Sequence, residues 1–106
     1  VQAGWRSDAN GKWYQNEDGS YPVSAWEMID GEWYYFDEYG YMRTGWIYVN
    51  GEWYFMNKDG AMCTNQWIDG TYYVKTSGEM ARDEWVDHDQ YYVDVNGIWV
   101  ADKRMG

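Results

Sequence analysis

Tryptophans stand in pairs along this chain. Trp26 and Trp33 are seven residues apart, Trp46 and Trp53 likewise, and Trp5 and Trp13 eight. The negative faces of two indoles brought together attract a cation that has no N–H to donate, since ring faces supply what a hydrogen bond cannot. The same rings offer flat apolar ground for stacking a sugar. Other chemistries fit poorly. General acid–base work needs paired carboxylates in a cleft, whereas Asp37, Glu38, Asp59 and Asp69 fall at turn and loop positions where solvated surface is the default. His88 is the sole histidine, and its neighbours Asp87 and Asp89 share one turn with it, so they do not orient it as a triad requires. Asp8-Ala9-Asn10-Gly11 opens like a calcium loop, but Lys12 and Trp13 break the ligand spacing. Cys63 is the only cysteine, which excludes an intrachain disulfide and a cysteine-based metal site and leaves a filler position in a loop. The expectation is a chain that is not an enzyme, with no catalytic residues, no metal and no cofactor.

The elements that position these rings repeat. Gly31-Glu32-Trp33-Tyr34-Tyr35-Phe36 stands 20 residues before Gly51-Glu52-Trp53-Tyr54-Phe55-Met56, and Gly11-Lys12-Trp13-Tyr14 stands 20 before the first of these. Gly70-Thr71-Tyr72-Tyr73-Val74 and Gln90-Tyr91-Tyr92-Val93 follow. A second glycine trails each copy, at Gly19, Gly40, Gly60, Gly78 and Gly97, and a tryptophan leads each, at Trp5, Trp26, Trp46, Trp67 and Trp85. Five copies of a unit of roughly 20 residues fill the chain as one domain over 1–106, with approximate repeats 4–24, 25–44, 45–64, 65–82 and 83–106.

Each copy reads as a β-hairpin. Asn10-Gly11, Asp30-Gly31, Asn50-Gly51 and Asp69-Gly70 are two-residue turn signals that tolerate positive φ. A turn at Asp30-Gly31 pairs Ile29 with Glu32, Met28 with Trp33 and Trp26 with Tyr35, so Trp26, Met28, Trp33 and Tyr35 share a face. Glu27, Ile29, Tyr34 and Phe36 take the other. Both faces carry apolar side chains, which a lone hairpin does not sustain in water. The predicted fold is therefore all-β, a solenoid of about five stacked β-hairpin repeats in which each unit touches only its neighbours.

Composition and charge narrow the partners. There is no leucine, and Ile, Val and Phe together number 14, so the 9 Trp and 12 Tyr must supply the core. A leucine-built bundle and a Val/Ile-rich parallel sheet are excluded. The net charge of −10 leaves no cationic stripe for nucleic acid or an anionic membrane surface and favours a cationic ligand. No apolar run is long enough for membrane insertion as a helix. The chain opens at Val1 without a basic-then-apolar leader, as expected of a processed secreted protein or a piece of a longer one.

Gly45-Trp46-Ile47-Tyr48-Val49-Asn50-Gly51-Glu52-Trp53-Tyr54-Phe55, followed by Gly60-Ala61-Met62, resembles the cell-wall-binding repeat of choline-binding proteins. Residues 25–64 match that repeat nearly position by position, including Thr44-Gly45-Trp46, and the outer units match more loosely. The resemblance implies a secreted, non-catalytic module of Gram-positive bacteria or their phages, located at the cell wall or cell surface. Its partner would be choline or phosphocholine on wall teichoic acids, and a catalytic or toxin domain would be fused outside this chain. Glucan-binding and clostridial toxin repeats belong to the same superfamily, so the alternative is a carbohydrate-binding module that stacks its rings on a glucan.

The resemblance also implies where the ligand sits: between two Trp of one hairpin and a Tyr of the next, with a Met nearby. Carried over, the cages are Trp26, Trp33 and Tyr54; Trp46, Trp53 and Tyr73; and Trp5, Trp13 and Tyr34. Met42 and Met62 are the methionines placed beside them, although core packing is their other role. Two departures qualify this picture. Without a bulge, the eight-residue spacing points Trp5 away from Trp13. The fourth unit has Tyr72 where the second Trp belongs, and the fifth has no glycine in its Asp87-His88-Asp89 turn, so the last two units are expected to lack full cages and to cap the stack.

Overall fold

The computed structural model describes residues 2–101. Among them are eleven strands and no helix: β1 (Gly4–Asp8), β2 (Gly11–Gln15), β3 (Ala25–Ile29), β4 (Glu32–Phe36), β5 (Gly45–Val49), β6 (Glu52–Met56), β7 (Gln66–Ile68), β8 (Tyr72–Val74), β9 (Glu84–Val86), β10 (Tyr91–Val93) and β11 (Trp99–Val100). Consecutive strands form five hairpins, and β11 adds a third strand beside β10. The all-β hairpin-repeat fold read from the sequence is the fold observed. Residues 102–106, the end of the fifth expected repeat, lie outside the described residues.

Local chemistry sets the turns. Asp30 and Gly31 have φ of 52° and 86°, and Asn50 and Gly51 the same values. Two successive positive φ angles make the tight turn that matches strand twist. β3 and β4 consequently pair in the expected register, Trp26 opposite Tyr35 and Met28 opposite Trp33.

Two other turns differ from expectation. The first hairpin turns at Ala9-Asn10, not Asn10-Gly11, with Asp8 opposite Gly11. The Asp8 carboxylate accepts the Asn10 N–H at 2.8 Å and the Tyr41 hydroxyl at 2.8 Å, which closes the turn one residue early. A Cβ on Gly11 would lie 3.2 Å from the Tyr41 ring, so this glycine serves close approach. The fourth hairpin turns through three residues, Asp69-Gly70-Thr71, where two were expected, and Ile68 faces Tyr72. Thr71 N–H donates back to the Ile68 carbonyl at 3.1 Å.

After each hairpin the chain makes a second, repeated loop. Asp37, Asn57 and Asp94 each use Oδ1 to accept two backbone N–H groups: Tyr39 and Tyr41, Asp59 and Ala61, Asn96 and Ile98. The chain then returns to the strand it left, pairing Phe36 with Met42, Val74 with Met80 and Val93 with Trp99.

The described residues divide into two compact units, residues 2–45 with 56–61, and residues 46–55 with 62–101. In the first, Ile29, Phe36 and Met56 are buried, and Trp5 packs on Phe36 with ring centroids 5.8 Å apart. In the second, Cys63, Ile68 and Val74 form one buried cluster against Trp46, Phe55 and Tyr72, while Tyr73, Ala81, Val86 and Val93 form another against Trp67. Within each unit, successive hairpins thus stack by their aromatic faces, as a hairpin solenoid does.

Candidate ligand-binding site

The second unit holds the fullest aromatic recess. Trp46 on β5 meets Trp53 on β6 edge to face, centroids 6.4 Å apart at 84°, and meets Tyr72 on β8 at 5.4 Å and 73°. With Met80 and Asn96 these rings line an open cavity of about 280 Å³. Each wall has a local cause. The tight Asn50-Gly51 turn brings Trp53 back beside Trp46, and Tyr48 leans on Trp53 at 5.0 Å. Met80 is held because its N–H donates to the Trp53 carbonyl at 2.7 Å. Met80 also passes directly under Gly97, where a Cβ would lie 2.6 Å from its methyl carbon. Trp53 remains 40% exposed where it lines this cavity.

Tyr72, not Tyr73, stands in this recess. The extra loop residue at Thr71 shifts the register by one, putting Tyr73 opposite Trp67, with rings 5.1 Å apart, where it is buried. Counting back from the buried strand ends Phe36, Met56, Val74 and Val93 makes Tyr34, Tyr54, Tyr72 and Tyr91 equivalent.

In the first unit, Trp5 meets Tyr34 at 4.9 Å and 70°, and with Met42, Lys12 and Asp59 they line a cavity of about 250 Å³. Trp13 is not in it. Trp5 pairs with Tyr14 and Arg6 with Trp13, so the two indoles point to opposite faces, and Trp13 packs on Tyr21 at 5.4 Å. Lys12, opposite Ser7, stands where Trp33 and Trp53 stand in their hairpins, and the Met42 N–H donates to its carbonyl at 2.7 Å. A lysine there puts a positive charge beside the rings. Burial raises the Tyr34 phenol above its usual range, and the carboxylates of Glu32, Asp30 and Asp59 push it further the same way.

Trp26 and Trp33 belong to the first unit as well. Trp26 packs on Tyr35 at 5.2 Å, while Trp33 and its cross-strand neighbour Met28 are each a little under half exposed. Tyr54 and Met62 belong to the second unit. Burial, then Glu79 and Glu52, raise the Tyr54 phenol, and Met62 lies under Gly78 as Met80 lies under Gly97.

From the sequence, Met80 recurs after a landmark glycine as Met42 and Met62 do and reads as core packing, while Trp99 draws no reading at all. The signal for both was the glycine-x-methionine frame: Gly78-Glu79-Met80 fits it, and Gly97-Ile98-Trp99 fits it with tryptophan in the methionine's place.

A twenty-residue hairpin repeat that walls a recess with two indoles, a tyrosine from the next hairpin and a methionine defines a class of aromatic-cage repeat modules. Two family profiles, each described as a choline-binding repeat, match residues 23–67 and 61–99. The chain belongs to the choline-binding repeat family. It is similar to the choline-binding domain of Spr1274 from Streptococcus pneumoniae, 45% identical over 74% of this chain and 96% of that one, TM-score 0.64. It is also similar to the choline-binding domain of CbpL from Streptococcus pneumoniae, 36% identical over 97% of this chain and 57% of that one, TM-score 0.82. A pneumococcal cell wall endolysin from phage Cp-1, solved in complex with choline, is 29% identical over 98% of this chain and 38% of that one, TM-score 0.69. The chain thus spans little more than half of the CbpL domain and well under half of the endolysin. No curated protein sequence matches it.

Proposed function

We propose that this chain is a non-catalytic module of a secreted Gram-positive or phage protein, which holds that protein to the cell wall by binding choline of teichoic acids. The observation that carries the reading is the recess of Trp46, Trp53, Tyr72 and Met80. A trimethylammonium group has no N–H, so ring faces and a polarizable thioether are its natural walls. The net charge of −10 adds long-range attraction for a cation. Each ring contributes about 0.5–2 kcal/mol, partly offset by immobilising the ligand, so one site binds free choline near 1 mM, or about −4 kcal/mol. Retention on a wall polymer then comes from several sites engaging one repetitive chain.

Titration calorimetry with choline and with a soluble α-glucan tests this reading, together with elution from a choline resin. Millimolar choline should produce heat and elute the protein, and Trp53→Ala should weaken both. Elution by the glucan and not by choline would replace the cage with carbohydrate stacking.

A further inference from the structure

The fourth hairpin has lost the second tryptophan of the recess, since Thr71 stands where Trp53 stands in the third. It has not lost the third ring. Trp67 on β7, Tyr91 on β10 and Trp99 on β11 meet pairwise at 5.6, 6.3 and 6.1 Å, with interplanar angles of 89°, 65° and 75°. Those values match the neighbouring recess, where Trp46 lies 6.4 Å from Trp53 and 5.4 Å from Tyr72. The placement follows the same frame. Trp67 opposes Tyr73 in the leading-tryptophan position, and Tyr91 is the counterpart of Tyr72. Trp99 takes the place of Met80: its N–H donates to the Thr71 carbonyl at 2.9 Å, as that of Met80 does to Trp53, and it pairs with Val93 as Met80 pairs with Val74. The second indole has moved from the hairpin to the returning strand.

We propose that Trp67, Tyr91 and Trp99 form a further binding site for a quaternary ammonium group, built by this exchange of a tryptophan for the methionine. Four features support it. Tyr91 is 39% and Trp99 41% exposed, the same openness as Trp53 at 40%. A cation about 3 Å above the plane of the three centroids lies about 4.6 Å from each, inside the roughly 6 Å centroid distance at which cation–π attraction acts. The Trp67 indole N–H donates to Asp87 Oδ2 at 3.1 Å, which fixes the ring and keeps a carboxylate beside the site. Finally, Trp99 lies on a strand paired to β10, opposite Val93, which holds its position.

The proposal rests on choline being the ligand of this module, and the test separates the two ideas. Choline chloride is titrated into the uniformly ¹⁵N-labelled 106-residue chain, with all indole N–H signals followed. Trp67 and Trp99 should shift over the same millimolar range as Trp46 and Trp53. Trp99→Met, which restores the methionine of the other repeats, should weaken the response at Trp67 about 2- to 5-fold and leave that at Trp46 unchanged. Tyr91→Leu, which keeps an apolar side chain on β10, should do the same. Trp53→Ala should give the reverse pattern. Shifts at Trp46 and Trp53 with silence at Trp67 and Trp99, or an unchanged response at Trp67 in Trp99→Met, would overturn this site alone. Silence at every indole would overturn the choline reading itself.

Discussion

Gly97→Ala should destabilise the protein more than Gly51→Ala, and only the first should disturb ligand binding. Both glycines lie in the second unit with nearly equal φ, 84° and 86°. An alanine at either therefore carries the same left-handed backbone cost, roughly 1–2 kcal/mol. Nothing lies within 4 Å of a Cβ at Gly51. At Gly97 the Cβ would lie 2.6 Å from the Met80 methyl, 2.8 Å from its sulfur and 3.3 Å from the Ala81 carbonyl oxygen. The Met80 chain end can swing away, but Ala81 is fixed by its own N–H, which donates to the Tyr73 carbonyl at 2.9 Å. Overpacking of this kind costs about 1–3 kcal/mol, and the flexibility of methionine places it near the lower end. At roughly 4–8 °C per kcal/mol for a domain of this size, Gly97→Ala should melt about 4–8 °C below Gly51→Ala. Thermal unfolding followed by aromatic circular dichroism reads the difference. Because Met80 walls the recess beside Trp46 and Trp53, a choline titration should show weaker binding in Gly97→Ala and none of that loss in Gly51→Ala. In a Met80→Ala background Gly97→Ala should cost less than it does alone, and a double-mutant cycle reads that coupling. Equal melting points for the two single variants would refute the argument that the methionine–glycine approach carries energy.

Lys12→Trp should strengthen choline binding at the Trp5–Tyr34 recess by about 2- to 5-fold or more, since it adds a ring and removes a like charge; the Met42 methyl resonance reports it. Choline at ten times Kd should stabilise the fold by about 1.4 kcal/mol per site, and calorimetric melting at several choline concentrations checks the logarithmic rise. Tyr34, Tyr54 and Tyr73 are raised chiefly by burial, and Tyr41 and Tyr92 chiefly by hydrogen bonds to Asp8 and Asp83. A phenol raised in the folded chain gives stability that is complete below about pH 10 and lost as pH rises through its folded value. At 295 nm the share of the tyrosinate absorbance that belongs to these five phenols should appear late and together with unfolding; the full amplitude of all twelve tyrosines appearing while the chain stays folded would contradict this.

Much of the fold was legible because two turn signals were unambiguous. Asp30-Gly31 and Asn50-Gly51 dictate tight turns, and from the first the pairing of Trp26 with Tyr35 follows by counting. Asn10-Gly11 and Asp69-Gly70 carry the same signal, but the chain reverses differently at both. At the first, the Asp8 side chain and the distant Tyr41 decide where the chain reverses. At the second, Thr71 joins the loop, and that one residue exchanges Tyr73 for Tyr72 in the recess. A slip of one residue leaves strand assignments nearly intact and reverses which side chains meet, so a site is harder to read than its fold. Trp5 and Trp13 show the converse: their eight-residue spacing predicted opposite faces, and that is where they lie. Trp99 is hard to read from the sequence because a methionine holds its place in the other repeats, and only the preceding Gly97 marks the position.

The recess draws its walls from separated stretches of one polypeptide, from Trp46 through Tyr72 to Met80. A ligand seated there acts as a mechanical clasp. The 34 residue steps from Trp46 to Met80 amount to roughly 110–120 Å of contour length, which a pulled chain would gain only after the clasp lets go. For a module that tethers a load to a surface, the same weak contacts that hold the ligand would then also resist extension of the protein, hairpin by hairpin.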